Sequence, residues 1–445
     1  MMNPSDTQPS DVTARNVEHG LLPPPLMVQS GRLSNGMQVV VIPDRRAPVV
    51  THMVWYRNGS SDDPAGKSGI AHFLEHLMFK GTDRYPAGHF TKLIAAEGGQ
   101  ENAFTAYDYT CYYQQVLRHH LPTCMAYEAD RMCNLAFDET VVAPERNVVL
   151  EERAMRYETR PEALLKEEVT AAAIPAHPSG RPIIGWRHEI ERLTRADALA
   201  YYRRFYRPGN AILVVAGDAK PAVVLALAEE AYGRIPSGEG VRERHHVQDP
   251  PTRTHRQVTL RDGRVRQPQL QRLHIVPAPG IALPGESEAL SVLALLLGGN
   301  RTAVLHQRLV VTEKLATSIG VEYEDYFTEQ ARFSINAVPA EGVSPQVLDA
   351  AVEDELRTVL AVGFPAGAIE RAKTRLVADA LYTQDNQFAL ANWYGQSLTL
   401  GFSLDDLATW QARIEAVTPE AIRDALALLV RGDGVSGYLL GLKVA

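Results

Sequence analysis

The chain has 445 residues, 45% hydrophobic and 22% charged, which is enough apolar material for more than one core and too much for a disordered chain. A formal net charge of −8 gives no reason to expect nucleic acid or an anionic membrane surface as a partner. No apolar run approaches the ~18 residues needed to span a bilayer. The three cysteines, Cys111, Cys124 and Cys133, lack CxxC spacing, which argues against both a disulfide framework and a thiolate metal site.

Residues 1–27 are rich in Ser, Asp, Thr and Pro and read as a flexible N-terminal arm. The arm lacks the basic-then-apolar shape of a signal peptide, so the chain reads as cytoplasmic. A chain whose signal peptide had been removed would look the same, which leaves the periplasm open. Two strands are expected at 37–43 and 49–57, the first after an Asn35-Gly36 turn signal. Helices are expected at 70–79 and 87–97, the second stopped by Gly98-Gly99. Residues 104–117 alternate as one strand, and 122–135 and 144–157 have helical periodicity.

Residues 236–256 are dense in Gly, Pro, Arg, His and Asp, show no apolar period and read as a linker. It would separate an N-terminal domain, 28–235, from a C-terminal one, 257–445. The two resemble each other: Ile190-Glu-Arg-Leu-Thr194 leads a helix and then the strand 212–217, and Ile414-Glu-Ala-Val-Thr418 leads a helix and then 435–441. Both threonines suit a helix N-cap, and the ordered recurrence favours a diverged duplication. Strands without regular crossover helices point to an α+β fold of two homologous α/β-sandwich halves, each a mostly antiparallel sheet with packed helices.

The first expected helix carries His72-Phe-Leu-Glu75-His76. Positions i and i+4 share a helix face with roughly 6 Å between their Cβ atoms. Two imidazoles placed so can meet one zinc ion at about 2.1 Å each. Glu75 lies slightly aside, where it can reach a water activated by the metal, and H-x-x-E-H is the inverzincin order. By chance such a pattern arises in about a few chains per hundred, so two surface histidines are the plain alternative. A catalytic zinc usually takes three protein ligands and a water. Helix 144–157 offers Glu145 and Glu152, seven apart and only ~20° out of line, while Glu151 points about 100° away. Such a face suits a ligand, Glu152, and a carboxylate holding a histidine ring, Glu145; a solvated acidic face beside Arg146 and Arg153 is the alternative.

His72–His76 followed by Phe79-Lys80-Gly81-Thr82, Gly98-Gly99 with Asn102-Ala-Phe-Thr105, and Glu145-Arg-Asn-Val-Val-Leu-Glu-Glu152 together resemble the pitrilysin-type (M16, inverzincin) zinc metallopeptidases. In length and two-half organisation the chain looks most like the processing-peptidase branch. The resemblance implies a zinc-dependent endopeptidase with His72, His76 and Glu152 as Zn2+ ligands, Glu75 as general base and Glu145 as a second, supporting carboxylate. It also implies that Asn102, Ala103, Phe104 and Thr105 form the edge strand to which an extended peptide substrate adds.

The sequence departs from the family in one place. Members commonly carry an Arg and a Tyr seven apart after a Gly-Gly segment of the second half. Here, after Gly298-Gly299, the matching positions are Val310 and Thr317, with Arg308 two places early and Tyr323 well beyond. A complete metal site without that pair suits the catalytic subunit of a heterodimer whose homologous M16-type partner supplies it. A non-catalytic scaffold subunit is the competing reading, and it has no need of four polar residues in a costly buried cluster. His119 and His120 are adjacent and cannot share a face. His177 and His188 have no spaced partner, and Cys111 has no positioned base.

Overall fold

The computed structural model describes residues 28–238, 244, 246–383 and 385–442; the arm expected at 1–27 and part of the expected linker lie outside them. Eleven strands among the described residues form two sheets. The first contains β1 (Gln29–Arg32), β2 (Gln38–Pro43), β3 (Val49–Tyr56), β4 (Gln100–Thr105), β5 (Thr110–Leu117) and β6 (Ala211–Gly217) in the order β1-β2-β6-β3-β5-β4. The second contains β7 (Arg256–Arg261), β8 (Gln269–Pro277), β9 (Ala316–Glu324), β10 (Gln330–Pro339) and β11 (Val435–Leu440) in the order β7-β11-β8-β10-β9.

Setting β1 aside, both sheets follow one path: the last strand inserts between the first and second, and the third lies at the edge. In each, that last strand runs parallel to the first, β6 along β2 and β11 along β7, and the other pairs are antiparallel. The strands matched by the sequence repeat, β6 and β11, therefore hold equivalent positions. The fold class is the expected one, two halves of mostly antiparallel sheet with packed helices.

Each sheet needs cover on both faces, and the halves exchange a helix to provide it. Every residue of β6 is buried, which an apolar run such as Ala-Ile-Leu-Val-Val-Ala-Gly requires. One face of the first sheet packs on helices of its own half. On the other face, Val40, Ile42, Met53, Trp55, Ile212 and Val214 pack against Leu390, Ala391 and Leu398, on the helix Gln387–Thr399 from the second half. In return, Leu165 and Val169 of the helix Pro161–Ala173 pack against Leu273, Val435 and Leu439 of the second sheet. Glycines permit both contacts. A Cβ on Gly395 would lie 2.1 Å from the Trp55 indole nitrogen, and one on Gly437 would lie 2.4 Å from Val169.

Two local expectations need correction. The single strand expected over 104–117 is a hairpin, β4 and β5, closed by a backbone bond from Ala106 N–H to the Tyr109 carbonyl. Tyr107 and Tyr109 are both buried, so apolar alternation runs through the turn and conceals it. The helix expected from Pro144 instead spans Glu139–Arg153 and continues as a wider π-type turn through Glu158. Pro144 sits in its second turn, where the ring deprives only the Thr140 carbonyl of its helical partner.

In an open helix, replacing Gly by Ala stabilises by about 1 kcal/mol. Gly395→Ala should do the opposite and destabilise by about 1–3 kcal/mol, because its methyl group would overlap the Trp55 indole. Urea unfolding measures this, and a midpoint at or above that of the parent would show that the exchanged helix does not press on Trp55.

Candidate metal centre

The helix Ile70–Met78 begins at Gly69, whose φ of 87° requires glycine. The Asp63 carboxylate accepts the Gly69 and Ala71 amides at 2.7 and 3.1 Å, satisfying donors that the first turn leaves free. Ile70, Phe73, Leu74 and Leu77 are buried in the core of the first half. That packing carries His72 and Glu75 inside, at 7% and 8% exposure. The rings of His72 and His76, one turn apart, stand 4.8 Å centre to centre.

The helix Glu139–Arg153 crosses beneath them. Its end is fixed by buried Arg153, which pairs with Glu167 at 2.9 Å and donates to the Gly185 carbonyl. The preceding residue, Glu152, thereby faces both imidazoles. Its Oε1 is 3.8 Å from His72 Nε2 and its Oε2 is 3.2 Å from His76 Nε2. Two turns earlier, Glu145 accepts from His76 Nδ1 at 2.9 Å and is ion-paired to Lys80 through its other oxygen. Arg156 reaches Glu152 Oε1 at 2.8 Å. Glu75, beside the group, accepts a 2.5 Å hydrogen bond from the Thr105 hydroxyl.

These contacts set the charge states. Burial, reinforced by the neighbouring charge of His76, lowers the His72 pKa to about 4, so the ring is neutral near pH 7. Burial also opposes charge on His76, but Glu145 and Glu152 outweigh it and raise that ring to about 9. Burial raises the Glu75 carboxyl, and Thr105 only partly counters it. The hydrogen bond from His76 lowers Glu152. Glu145, although burial pushes it up, is lowered on balance by His76 and Lys80.

The residues fit a zinc ion. Their donor atoms, two imidazole nitrogens and a carboxylate oxygen, all lie within 4.8 Å of one another. Buried His72 Nδ1 has no hydrogen-bond partner, and Nε2 stands too far from Glu152 to make one. A cation at Nε2 would give that nitrogen a partner, and two nitrogens with one oxygen suit zinc. The His76 Nδ1–Glu145 bond would hold its ring in the tautomer that leaves Nε2 free to ligate.

All five residues expected at the site, His72, Glu75, His76, Glu145 and Glu152, thus come together. Asn102, Ala103, Phe104 and Thr105 lie on β4, an edge strand that among the described residues pairs only with β5. The sequence reading gave no role to Lys80 or Arg156. Arg156 lies four residues after Glu152, so helical i,i+4 spacing could have found it; Lys80 pairs with Glu145 on another helix, which no local spacing signals. Nothing local links Thr105 to Glu75, thirty residues earlier. In the second half, Thr317 donates to the Val338 carbonyl, Arg308 pairs with Glu313 and Glu355, and the Tyr323 hydroxyl meets Ser287 at 3.1 Å. His177, set aside in the sequence, is buried among polar partners from distant segments.

Residues 38–186 match Insulinase (Peptidase family M16), and residues 192–376 match the Peptidase M16 inactive domain. An uncharacterized zinc protease of Streptomyces coelicolor is 30% identical over 95% of this chain and 91% of its own. Zinc protease PqqE of Helicobacter pylori is 31% identical over 65% of each chain. The solved structure of a protease from Helicobacter pylori is similar with a TM-score of 0.87 and 25% identity, covering 93% of this chain and 99% of that one. Pitrilysin shares the fold at 19% identity and a TM-score of 0.77, covering 97% of this chain and 46% of its own. The chain belongs to peptidase family M16, a family of zinc-dependent peptidases.

Proposed function

We propose that the chain is a zinc-dependent endopeptidase and the catalytic subunit of a dimer with a homologous M16-type partner. The convergence of His72, His76 and Glu152, with the Glu75 carboxylate beside them, carries the reading. Zinc held by those three residues supplies Lewis acidity to a water and to the scissile carbonyl. Glu75 takes the proton of the attacking water and delivers it to the leaving amine. Burial, which raises its pKa, makes it a better base near neutrality. Thr105 fixes one of its oxygens, and the Lys80–Glu145–His76 chain orients the second imidazole. The edge of β4, Asn102 to Thr105, accepts an extended peptide by main-chain pairing, and Thr105 itself bonds to the base.

The partner follows from what the second half lacks. Val310 and Thr317 offer neither guanidinium nor phenol, and Arg308 and Tyr323 are engaged within that half. The chain spans about half of pitrilysin's length, which supports pairing two such chains. Neither nucleic acid nor a membrane is part of the reading. Among the described residues no helix is long and apolar enough to cross a membrane. A scaffold subunit would have no use for this buried polar cluster, whose desolvation costs stability.

Glu75→Gln should keep full zinc content and lose about 10²–10⁴-fold in kcat/KM on a quenched peptide. Metal analysis beside the assay checks both, and undiminished turnover in a fully loaded variant would remove Glu75 from its role. Zinc binding at His76 Nε2 must displace the proton that holds the metal-free ring at about 9. Affinity should therefore fall about tenfold per pH unit from pH 9 to pH 7 and level off above 9. Chelator competition across that range measures the slope, and a flat profile would contradict the assignment. Mixing with a homologous chain that bears the Arg/Tyr pair should raise kcat/KM on the order of 10²-fold or more. Full activity from a verified homogeneous preparation would show that no partner is needed.

A further inference from the structure

A second group of two histidines and one glutamate lies away from the catalytic residues, and the function proposed above makes no use of it. His177 follows the helix Pro161–Ala173 in the first half, His246 lies in the connecting segment, and Glu329 sits in the turn between β9 and β10 of the second half. His177 Nε2 is 2.5 Å and His246 Nδ1 is 3.0 Å from the same oxygen of Glu329. The two rings stand 5.2 Å apart and nearly perpendicular. One ligand atom from each residue falls within 4.8 Å of the others. The side chains are 4%, 10% and 19% exposed, as enclosed as those of the catalytic group.

We propose that His177, His246 and Glu329 form a second zinc site, a structural one that ties the connecting segment and both halves together. The surrounding groups favour it. His177 Nδ1 lies 2.8 Å from the Ser179 hydroxyl, His246 Nε2 lies 3.9 Å from Asp62, and Gln248 donates to Glu329 at 3.2 Å. For His177 the Ser179 hydroxyl is a partner on the far nitrogen, of the kind that holds a metal-binding imidazole in tautomer and orientation. Both histidines also line a cavity of about 1020 Å³ through which an ion can enter.

Uptake rearranges protons as well. Without an ion, the Ser179 amide donates to His177 Nδ1 at 3.1 Å, so the ring proton sits on Nε2 and faces Glu329. On binding, the His177 proton would pass from Nε2 to Nδ1, where it is donated to the Ser179 hydroxyl, and His246 Nδ1 would shed its own hydrogen to solvent and ligate. The amide bond to Nδ1 is given up, and the two ring hydrogen bonds to Glu329 are replaced by ligation. Glu97, His119 and His120 also lie close together, but two of the three are exposed, and a zinc there would cross-link nothing.

The test is zinc content of the full chain after dialysis against a weak chelator. The parent should retain about two ions per chain, and Glu329→Gln, His246→Gln and His72→Gln about one each. The His72→Gln variant separates this site from the catalytic one, so either reading can fail alone. Melting temperature should fall on chelation in His72→Gln, which retains only the second ion, and should not respond in a Glu329→Gln/His72→Gln double variant. One zinc in the parent, lost in His72→Gln, would overturn the proposal and leave the cluster a hydrogen-bonded contact. That reading needs no variant at the new site to fold. A second zinc that survives Glu329→Gln but is lost in His120→Gln would place it on the exposed cluster and overturn the proposal equally.

Discussion

The structure turns on one buried contact, the Glu152 carboxylate held against two imidazoles from another helix. Three polar groups gathered out of water are unfavourable unless each finds charge or hydrogen bonds. Here they alternate in sign along one line: Lys80, Glu145, His76, Glu152, Arg156. Only His72 stands outside, neutral and with Nδ1 unpartnered. The line is satisfied at both ends by cations that reach toward solvent. A divalent cation at the two Nε2 atoms and Glu152 would leave the His76–Glu145 bond intact.

Keeping that contact in register is the task of the surrounding core. The helix Ile70–Met78 packs into the apolar cluster of the first half, and the helix Glu139–Arg153 is fixed at its end through Arg153 and Glu167. Glu167 lies on the helix Pro161–Ala173, which covers the second sheet. The exchange of helices between the halves therefore runs into the residue next to Glu152. The Arg153–Glu167 pair thus links the helix that covers the second sheet to the residue next to Glu152.

The site was more legible in the sequence than the path of the chain. His72, Glu75 and His76 could be read because helical spacing alone puts them on adjoining faces, and Glu145 and Glu152 because seven residues nearly close two turns. That the two helices meet is a tertiary fact, with His76 and Glu145 sixty-nine residues apart; only family resemblance supplied it. The β4–β5 turn stayed hidden because Tyr107 and Tyr109 continue the apolar alternation through it. The start at Glu139 stayed hidden because proline so often marks a first turn. His177 gave no signal at all, since the carboxylate it meets lies 152 residues away. Local periodicity reports what one element presents, and it is silent about contacts made by the connections between elements.

Two histidines and a glutamate occur together three times among the described residues, and the surroundings of the two enclosed groups give them different chemistry. Around His72 and His76, a further carboxylate, Glu75, is buried and held by a hydroxyl rather than by a cation. It lies beside an unpaired strand edge that an extended chain can occupy. Around His177 and His246, the nearby acid Asp62 is already paired with Arg244 at 3.2 Å. Glu329 itself is the bridging group, and the contributing segments come from three parts of the fold. A base without a counter-cation beside an open edge is what hydrolysis of a peptide requires, and only the first cluster has it. The second has its acids neutralised and its ligands spread across the molecule, which suits holding segments together. The ligand triad by itself does not distinguish a catalytic centre from a structural one; the unpaired carboxylate next to it does.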